Sequence, residues 1–521
     1  MSDTTGVLID TASIQNYIYS SNRLKDNIGA SFLVSNLFSE PLLRTLGEVC
    51  HFNPEDFEKW KASPEQKPFE EGSKCDIGYI GGGNALIFFK DGTKAEDFIK
   101  EYSKLLLVEA PGVRTAFGVL KGFDLDNFSE SMKAIHQNLN RNKNLFHPVV
   151  ELRKYGITAE CPRSGQSAEF PPVLTPEGAE FLSSVTWKKL QAIEQSNKTL
   201  ASAIGDILGG RFTFTEHVDR LWMIEDPQQH GNESGYVAVV HIDGNRVGEK
   251  FSATSSLHDI RKLSLSMTEA TLGAFRDTVA DLIELSDSGV LKKEDGFFVQ
   301  REDSKTLLPI RPIVIGGDDI TFLCHGKLAL YLAESFISNF ERRTAEEGVT
   351  LTACGGVAIV KTKYPFYRAY ELAESLTSRA KRKSRATSNV SCIDFHVSSG
   401  GMLGTADEVI ERTLSCQHGQ LHYGPYRVDR GDDPDTTNHL RKLINSLSYL
   451  PRNKLMKLRE KLTLDREEYE AFMIELEVSG LELPKVAGFE KLWSNRETPY
   501  FDAIEIQDFY PQSLLDWRER R

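Results

Sequence analysis

The sequence predicts an α+β fold in which a βαββαβ unit occurs twice, with a helical connector between the copies and a helical domain after them. Three observations carry this. Short apolar runs bounded by glycine alternate with long polar stretches of helical spacing. Two glycine turns, GGGN at 81–84 and GGDD at 316–319, each lie between a pair of apolar runs. The segments around those turns then recur in one order at nearly one spacing, the signature of an internal duplication.

In chain order, Gly6–Ile9 reads as a strand running into Asp10, and 23–48 as helical. Ile77–Ile80 and Ala85–Phe89 are strands flanking the first turn, and Gly112–Leu120 is a fourth strand. The stretch 125–230 is mainly helical, with an irregular piece, CPRSGQSAEFPPV, rich in turn formers. Tyr236–Ile242 opens the second copy. A helix over 255–285 follows, carrying Leu257, Ile260, Leu263, Leu265, Leu272 and Phe275, and 286–308 is a polar insertion. Ile310–Ile315 and Ile320–Leu323 flank GGDD, and a helix spans about 327–345. The strand Leu351–Val360 leads to a helix over 366–384 opened by Pro365, and Ser391–His396 is a short further strand. The order βαββαβ is the ferredoxin-like, or palm, arrangement. Asp10 and Ile80 are 70 residues apart, Asp243 and Ile315 are 72 apart, and Gly112–Leu120 parallels Gly348–Val360. The expected domains are a degenerate first palm at 1–124, the connector at 125–230, a GGDD palm at 231–429 and a helical domain at 430–521.

Composition narrows the function. Of 521 residues, 40% are hydrophobic and 26% charged, enough for several cores, and the formal charge is −13. That balance disfavours a chain that grips long nucleic acid on its own. No apolar run approaches the length needed to span a bilayer, and the start lacks a secretory pattern, so a cytoplasmic protein is expected, with no membrane association. Seven scattered cysteines, never spaced CxxC, argue against a disulfide scaffold and a structural zinc site.

The chemistry concentrates in HIDGNRVG (241–248) and IGGDDITF (315–322). In a palm, the end of the first strand and the central hairpin lie side by side, so Asp243 and the pair Asp318–Asp319 converge. Grouped carboxylate oxygens suit Mg²⁺ or Mn²⁺ bound to a nucleotide triphosphate. Gly316 and Gly317 are expected to take positive φ and to bring backbone close to that triphosphate. Aligned on the turn, Gly83 and Asn84 stand where Asp318 and Asp319 stand, so the first copy has lost both carboxylates. The run RAKRKSR holds Arg379, Lys381, Arg382, Lys383 and Arg385 with no acid among them, and most of these read as a solvated helix end. His241, Cys324, Cys354, Phe366, Tyr367, Tyr370, Tyr17 and Tyr19 read as packed residues.

These residues resemble a known family: the large palm-containing subunit of type III CRISPR effector complexes, a polymerase-cyclase subunit related to GGDEF nucleotide cyclases. IDTASIQNYIYSSNRLKDNIGASFLVSNL is similar to that family's opening, GYIGGGNALIFF to its degenerate hairpin, TACGGVAIVKTKYPFYRAYELAESLTSRAKRK to its later strand and helix, and LHYGPYRV to its segment after the palm. The likeness covers about residues 6–430. It implies a nucleotidyltransferase that joins ATP through 3′–5′ linkages into cyclic oligoadenylate, a second messenger of antiviral defence. It further implies Asp243, Asp318 and Asp319 as metal ligands, Lys381 as a triphosphate contact, and Gly244 and Asn245 lining the nucleotide. The implied partners are RNA-guided effector subunits and an activating RNA, or a second copy of the chain if it stands alone. Two departures are noted: the palm starts within ten residues of Met1, so the family's HD nuclease domain is expected to be missing, and Cys161 alone stands where a four-cysteine zinc site often lies. A templated polymerase and a non-catalytic scaffold are the alternatives. The retained glycines Gly81–Gly83 suggest that the first palm seats an acceptor ATP.

Overall fold

Strands that bury both faces read as unbroken apolar runs, as Val7–Ile9 and Ala85–Phe89 do. The computed structural model describes residues 4–69, 72–145, 159–175, 178–221, 235–292, 295, 297, 300–398, 400, 404–464 and 466–519. Parts of the expected connector (146–158, 176–177 and 222–230) and of the polar insertion (293–294, 296 and 298–299) lie outside them. The chain divides into two compact units. One comprises Met1–Ile204, Arg246–Thr271 and Ile313–Asp318, the other Gly205–Asn245, Leu272–Pro312 and Asp319–Arg521.

In the first unit β1 (Thr5–Ala12), β2 (Cys75–Gly81), β3 (Asn84–Phe89) and β4 (Arg114–Lys121) form a sheet ordered β2-β3-β1-β4. β1 runs antiparallel to both β3 and β4. Side chains alternate across a strand. Val7, Ile9, Ile87 and Phe89 therefore enter one core, with α1 (Leu24–Asn36), α2 (Glu40–Cys50) and α3 (Gly92–Glu109) around it. Leu8, Leu86 and Phe88 enter a second core with Met132, Ile135 and Leu139 of α4 (Phe128–Lys143). α4, which the sequence pattern sets at the start of the connector, thus lies on the first sheet. The connector also holds a hairpin, Phe170–Thr175 with Gly178–Leu182, before the long helix Ser184–Leu208.

A second sheet contains β5 (Tyr236–Gly244), β6 (Ile310–Ile315), β7 (Asp319–His325), β8 (Ala353–Lys361), β9 (Cys392–Val397) and β10 (Tyr426–Arg427), ordered β6-β7-β5-β8-β9-β10. Its first four strands repeat the order of the first sheet, the ferredoxin-like topology expected. The helix α5 (Leu257–Asp287) lies between β5 and β6 in the chain, and α6 (Ala329–Glu346) and α7 (Phe366–Ala386) pack on β8. β9 extends the sheet parallel to β8.

The duplication holds at single residues. Gly118, Ile135, Leu139 and Lys143 correspond, 238 positions on, to Gly356, Ala373, Thr377 and Lys381. A Cβ on Gly118 would lie 2.7 Å from Ile135 O, and one on Gly356 would lie 2.0 Å from Ala373 O. In each copy, then, the missing side chain lets the last helix press its backbone onto the fourth strand.

Helices at Thr437–Leu447, Arg452–Leu462, Arg466–Val478, Pro499–Gln507 and Gln512–Glu519 make up the C-terminal part. Among the described residues, no helix is long and apolar enough to cross a membrane. The LHYGPY segment is pinned by His422, whose ring nitrogens lie 2.7 Å from Asp394 Oδ1 and 2.9 Å from Asp502 Oδ1. Asp502 also accepts from the Tyr426 hydroxyl and from the amides of Tyr423 and Gly424. Arg379 Nε donates to Asp394 at 2.7 Å. Burial works against a charged imidazole, but the two aspartates outweigh it and push His422 up to about 10. Because the folded value is raised, this contribution is full below the unfolded histidine value of about 6.5 and is lost as pH rises through about 10. His422→Gln should cost about 3–5 kcal/mol at pH 7 in urea denaturation, by leaving buried carboxylates short of their cation, and the deficit should shrink as pH approaches 10. A deficit that does not change with pH would contradict an imidazolium at this position.

Candidate functional site

The ladder between β5 and β7 sets the centre of the site. It pairs Asp243 with Asp319, Ile242 with Ile320 and His241 with Thr321. Residues directly opposite in an antiparallel pair share a face with Cβ atoms about 5 Å apart. The alternation that buries Ile242 and Ile320 therefore sends Asp243 and Asp319 to one partly exposed edge. Asp318 precedes Asp319 in the chain and lines a cavity of the first unit.

On its other side β5 pairs with β8, setting Asp243 opposite Cys354 and Gly244 opposite Ala353. α7 crosses this ladder and brings Lys381 Nζ to 2.6 Å from Asp243 Oδ2. Three other cations of the basic run pair with acids distant in sequence. Arg379 pairs with Asp394 and Asp407, Arg382 with Asp407, and Lys383 with Asp435. Of these four cations, Lys381 is the one that reaches the strand end.

One expectation is corrected. Gly316 and Gly317 are absent from the positive-φ residues, whereas Gly82 and Gly83 have φ of 57° and 78°. The first hairpin closes with a two-residue loop, Gly82–Gly83, that takes the left-handed conformation twice, whereas the three-residue loop Gly316–Asp318 turns without a positive-φ residue. Gly317 instead carries a carbonyl that accepts from Thr271 Oγ1 at 2.7 Å. Asn245 is engaged within the fold through its side chain. It is buried, its amide donates to Thr352 O at 2.8 Å, and its side chain donates to Thr352 Oγ1 and Ser384 Oγ. Asn245 thereby ties the end of β5 to α7.

His241 is packed as expected. Its ring is 2.9 Å from Thr321 Oγ1 and meets the Tyr370 ring edge-on. Burial pushes its pKa down to about 4, which leaves the imidazole neutral. Cys324 and Cys354 are buried, and all seven cysteines are free thiols. Burial would raise the Cys161 thiol, but hydrogen bonds from Ser164 and Thr186 outweigh it and bring it down to about 7. The His258–Asp259 dipeptide opens α5, where the Asp259 amide donates to Ser256 Oγ and its carboxylate accepts from Ser255.

The first palm mirrors the site with substitutions. Asp10 stands opposite Asn84 on one side and Ala116 on the other. Lys143, the last residue of α4, is ion-paired with Asp10. Sequence reading missed Lys143, although a signal exists: 27 residues separate Ala116 from Lys143, and 27 separate Cys354 from Lys381. A cavity of about 690 Å³ in the first unit is lined by Tyr79, Gly82, Asn84, His136, Asn140 and Asp318, among others. Asn84 Oδ1 there is buried without a hydrogen-bond partner.

The donor set suits a hard divalent ion. Two carboxylates are paired on one edge, and that edge already attracts an ammonium. Among the described residues, no three His, Cys, Asp or Glu side chains form a ready cage. Mg²⁺ does not require one, because it is commonly held by one or two carboxylates together with waters and substrate phosphates.

Residues 236–388 match the family described as "Cas10/Cmr2, second palm domain". No curated protein sequence matches the chain. Among solved structures it resembles Csm1 of T. onnurineus, at 14% identity and a TM-score of 0.52, covering 99% of this chain and 70% of that one. It is also similar to a chain of a Csm1–Csm4 cassette in complex with cA4, at 15% identity and a TM-score of 0.48, covering 97% and 69%. The same cassette in complex with AMPPNP gives 15% and 0.48, covering 98% and 70%.

Asn245→Ala should lower stability by about 1–3 kcal/mol in chemical denaturation, through loss of buried hydrogen bonds. Unchanged stability with weakened ATP binding would instead mark Asn245 as a ligand contact.

Proposed function

We propose, from the premise that residues 236–388 form a Cas10/Cmr2-type second palm domain, that this chain is a metal-dependent nucleotidyltransferase joining ATP into cyclic oligoadenylate. Its setting is type III CRISPR-type antiviral defence in the cytoplasm. The observation that carries the reading is the pairing of Asp243 with Asp319 on neighbouring strands, with Lys381 at the same edge.

Asp243, Asp318 and Asp319 would hold Mg²⁺ or Mn²⁺, and such ions make the attacking 3′-hydroxyl more acidic and offset charge on the departing pyrophosphate. The protein's own contribution is placement. Lys381 lies within reach of the strand edge and supplies a cation to the triphosphate. Asn245 holds α7 to β5, so Lys381 and Asp243 stay in register. Gly244, Gly316 and Gly317 offer backbone without side-chain bulk where the nucleotide lies. His241, buried and neutral, is spent on Thr321 and does not act as the base, so rate acceleration rests on positioning and electrostatics.

The acceptor ATP takes the cavity of the first unit. Support comes from its size, from the glycine backbone at Gly82 and from the unsatisfied Asn84 oxygen. The partners are RNA-guided effector subunits and an activating RNA, or a second copy of the chain where it acts alone.

The test is incubation of the purified protein with ATP and Mg²⁺ or Mn²⁺, with and without candidate RNA, and identification of products by mass. Asp318→Ala/Asp319→Ala should lower product by roughly 10²-fold or more. Unchanged synthesis in that variant would sink the assignment, and primer-extended product would indicate a templated polymerase. For the acceptor cavity, Gly82→Phe should cost about tenfold or more in rate, whereas Gly82→Asn, which tolerates positive φ, should be mild. Equal, mild effects of both would show the first palm to be purely structural.

A further inference from the structure

Each palm pairs the aspartate at the end of its first strand with a lysine from the helix after its fourth strand. Asp243 pairs with Lys381 and Asp10 with Lys143. These are one feature repeated, because each aspartate faces a fourth-strand residue, Cys354 or Ala116, that precedes its lysine by 27 positions. In each copy a glycine, Gly356 or Gly118, lets the helix approach closely enough for the lysine to reach. What differs is the neighbour on the hairpin side: a second carboxylate, Asp319, in one palm and an amide, Asn84, in the other.

An ammonium and a divalent ion compete for the same carboxylate oxygens. Without nucleotide phosphates to add charge, one carboxylate beside a neutral amide attracts a divalent ion less strongly than two carboxylates side by side. We propose that Lys381 and Lys143 are tethered counter-cations: Lys381 is exchanged for a divalent ion when the second palm loads, and Lys143 stays on Asp10, so the first palm needs no divalent ion. Displaced from Asp243, the Lys381 ammonium is freed at the edge where a triphosphate arrives, and ion and nucleotide binding reinforce each other. This rests on the reading of Asp243 and Asp319 as ion ligands, and it does not depend on which product is made.

The experiment is a Mn²⁺ titration of the full chain without nucleotide, with free Mn²⁺ followed by electron paramagnetic resonance. Lys381→Met should bind Mn²⁺ about three- to tenfold more tightly than the wild type, since removing the tethered competitor of a partly exposed pair is worth about that factor. Lys381→Arg, which keeps the cation, should match the wild type, and Asp319→Asn should weaken Mn²⁺ binding in the Lys381→Met background. Lys143→Met should change neither the number of Mn²⁺ sites nor their affinity. The inference is overturned if Lys381→Met binds no more tightly than the wild type, if Lys381→Arg tightens binding as Met does, or if Lys143→Met gains a comparable site. A chain that makes no oligoadenylate yet shows the expected Mn²⁺ series would fail the functional reading alone.

Discussion

Two carboxylates set directly opposite each other on adjacent strands repel, and a cation sharing the edge relieves that cost. The pairing of Asp243 with Asp319 imposes that cost on the second palm. The strand ladder creates it, because the alternation that buries Ile242 and Ile320 also sends both aspartates to the same face. The helix α7 answers it with Lys381, and Gly356 is the reason α7 comes close enough to do so. Asn245 ties the end of β5 to that helix, and Arg379 ties it through Asp394 to the buried His422 and so to Asp502 of the C-terminal helices. Fold and site are thus parts of one electrostatic arrangement.

The first palm shows what happens when that repulsion is absent. Asn84 replaces the second acid, and Asp10 with Lys143 forms a plain ion pair on an otherwise matching framework. The strand order, the glycine under the helix and the 27-residue spacing persist, because they serve packing of the sheet rather than chemistry. A cavity lined by Gly82 and Asn84 remains beside that framework. The two copies therefore separate what a palm needs in order to fold from the second carboxylate on which the proposed ion site depends.

Much of this was legible in the sequence. Apolar runs bounded by glycine turns located the eight strands of the two palms, and the duplicated spacing located Asp243 beside the GGDD hairpin. The remainder was hidden for physical reasons. A basic run carries no sign of its partners, and Asp394, Asp407 and Asp435, distant in sequence, neutralise much of RAKRKSR only once the chain folds. The direction of the Asn245 side chain depends on Thr352 and Ser384, which no local pattern connects. Glycine identity does not specify a turn type, because glycine adopts positive and negative φ about equally readily, as Gly82 and Gly317 illustrate. α4 is amphipathic like any connector helix, and only its spacing from β4, matched by α7 from β8, assigns it to the sheet.

The central claim is that Asp243 and Asp319 share one divalent ion and that Lys381 yields its place to it. Anomalous diffraction from crystals of the protein with Mn²⁺ and a non-hydrolysable ATP analogue tests this directly. The account predicts a Mn²⁺ peak about 2 Å from carboxylate oxygens of both Asp243 and Asp319, with Lys381 Nζ moved off Asp243 and onto a phosphate oxygen. Nucleotide bound with no Mn²⁺ between those carboxylates, and Lys381 still paired with Asp243, would contradict it.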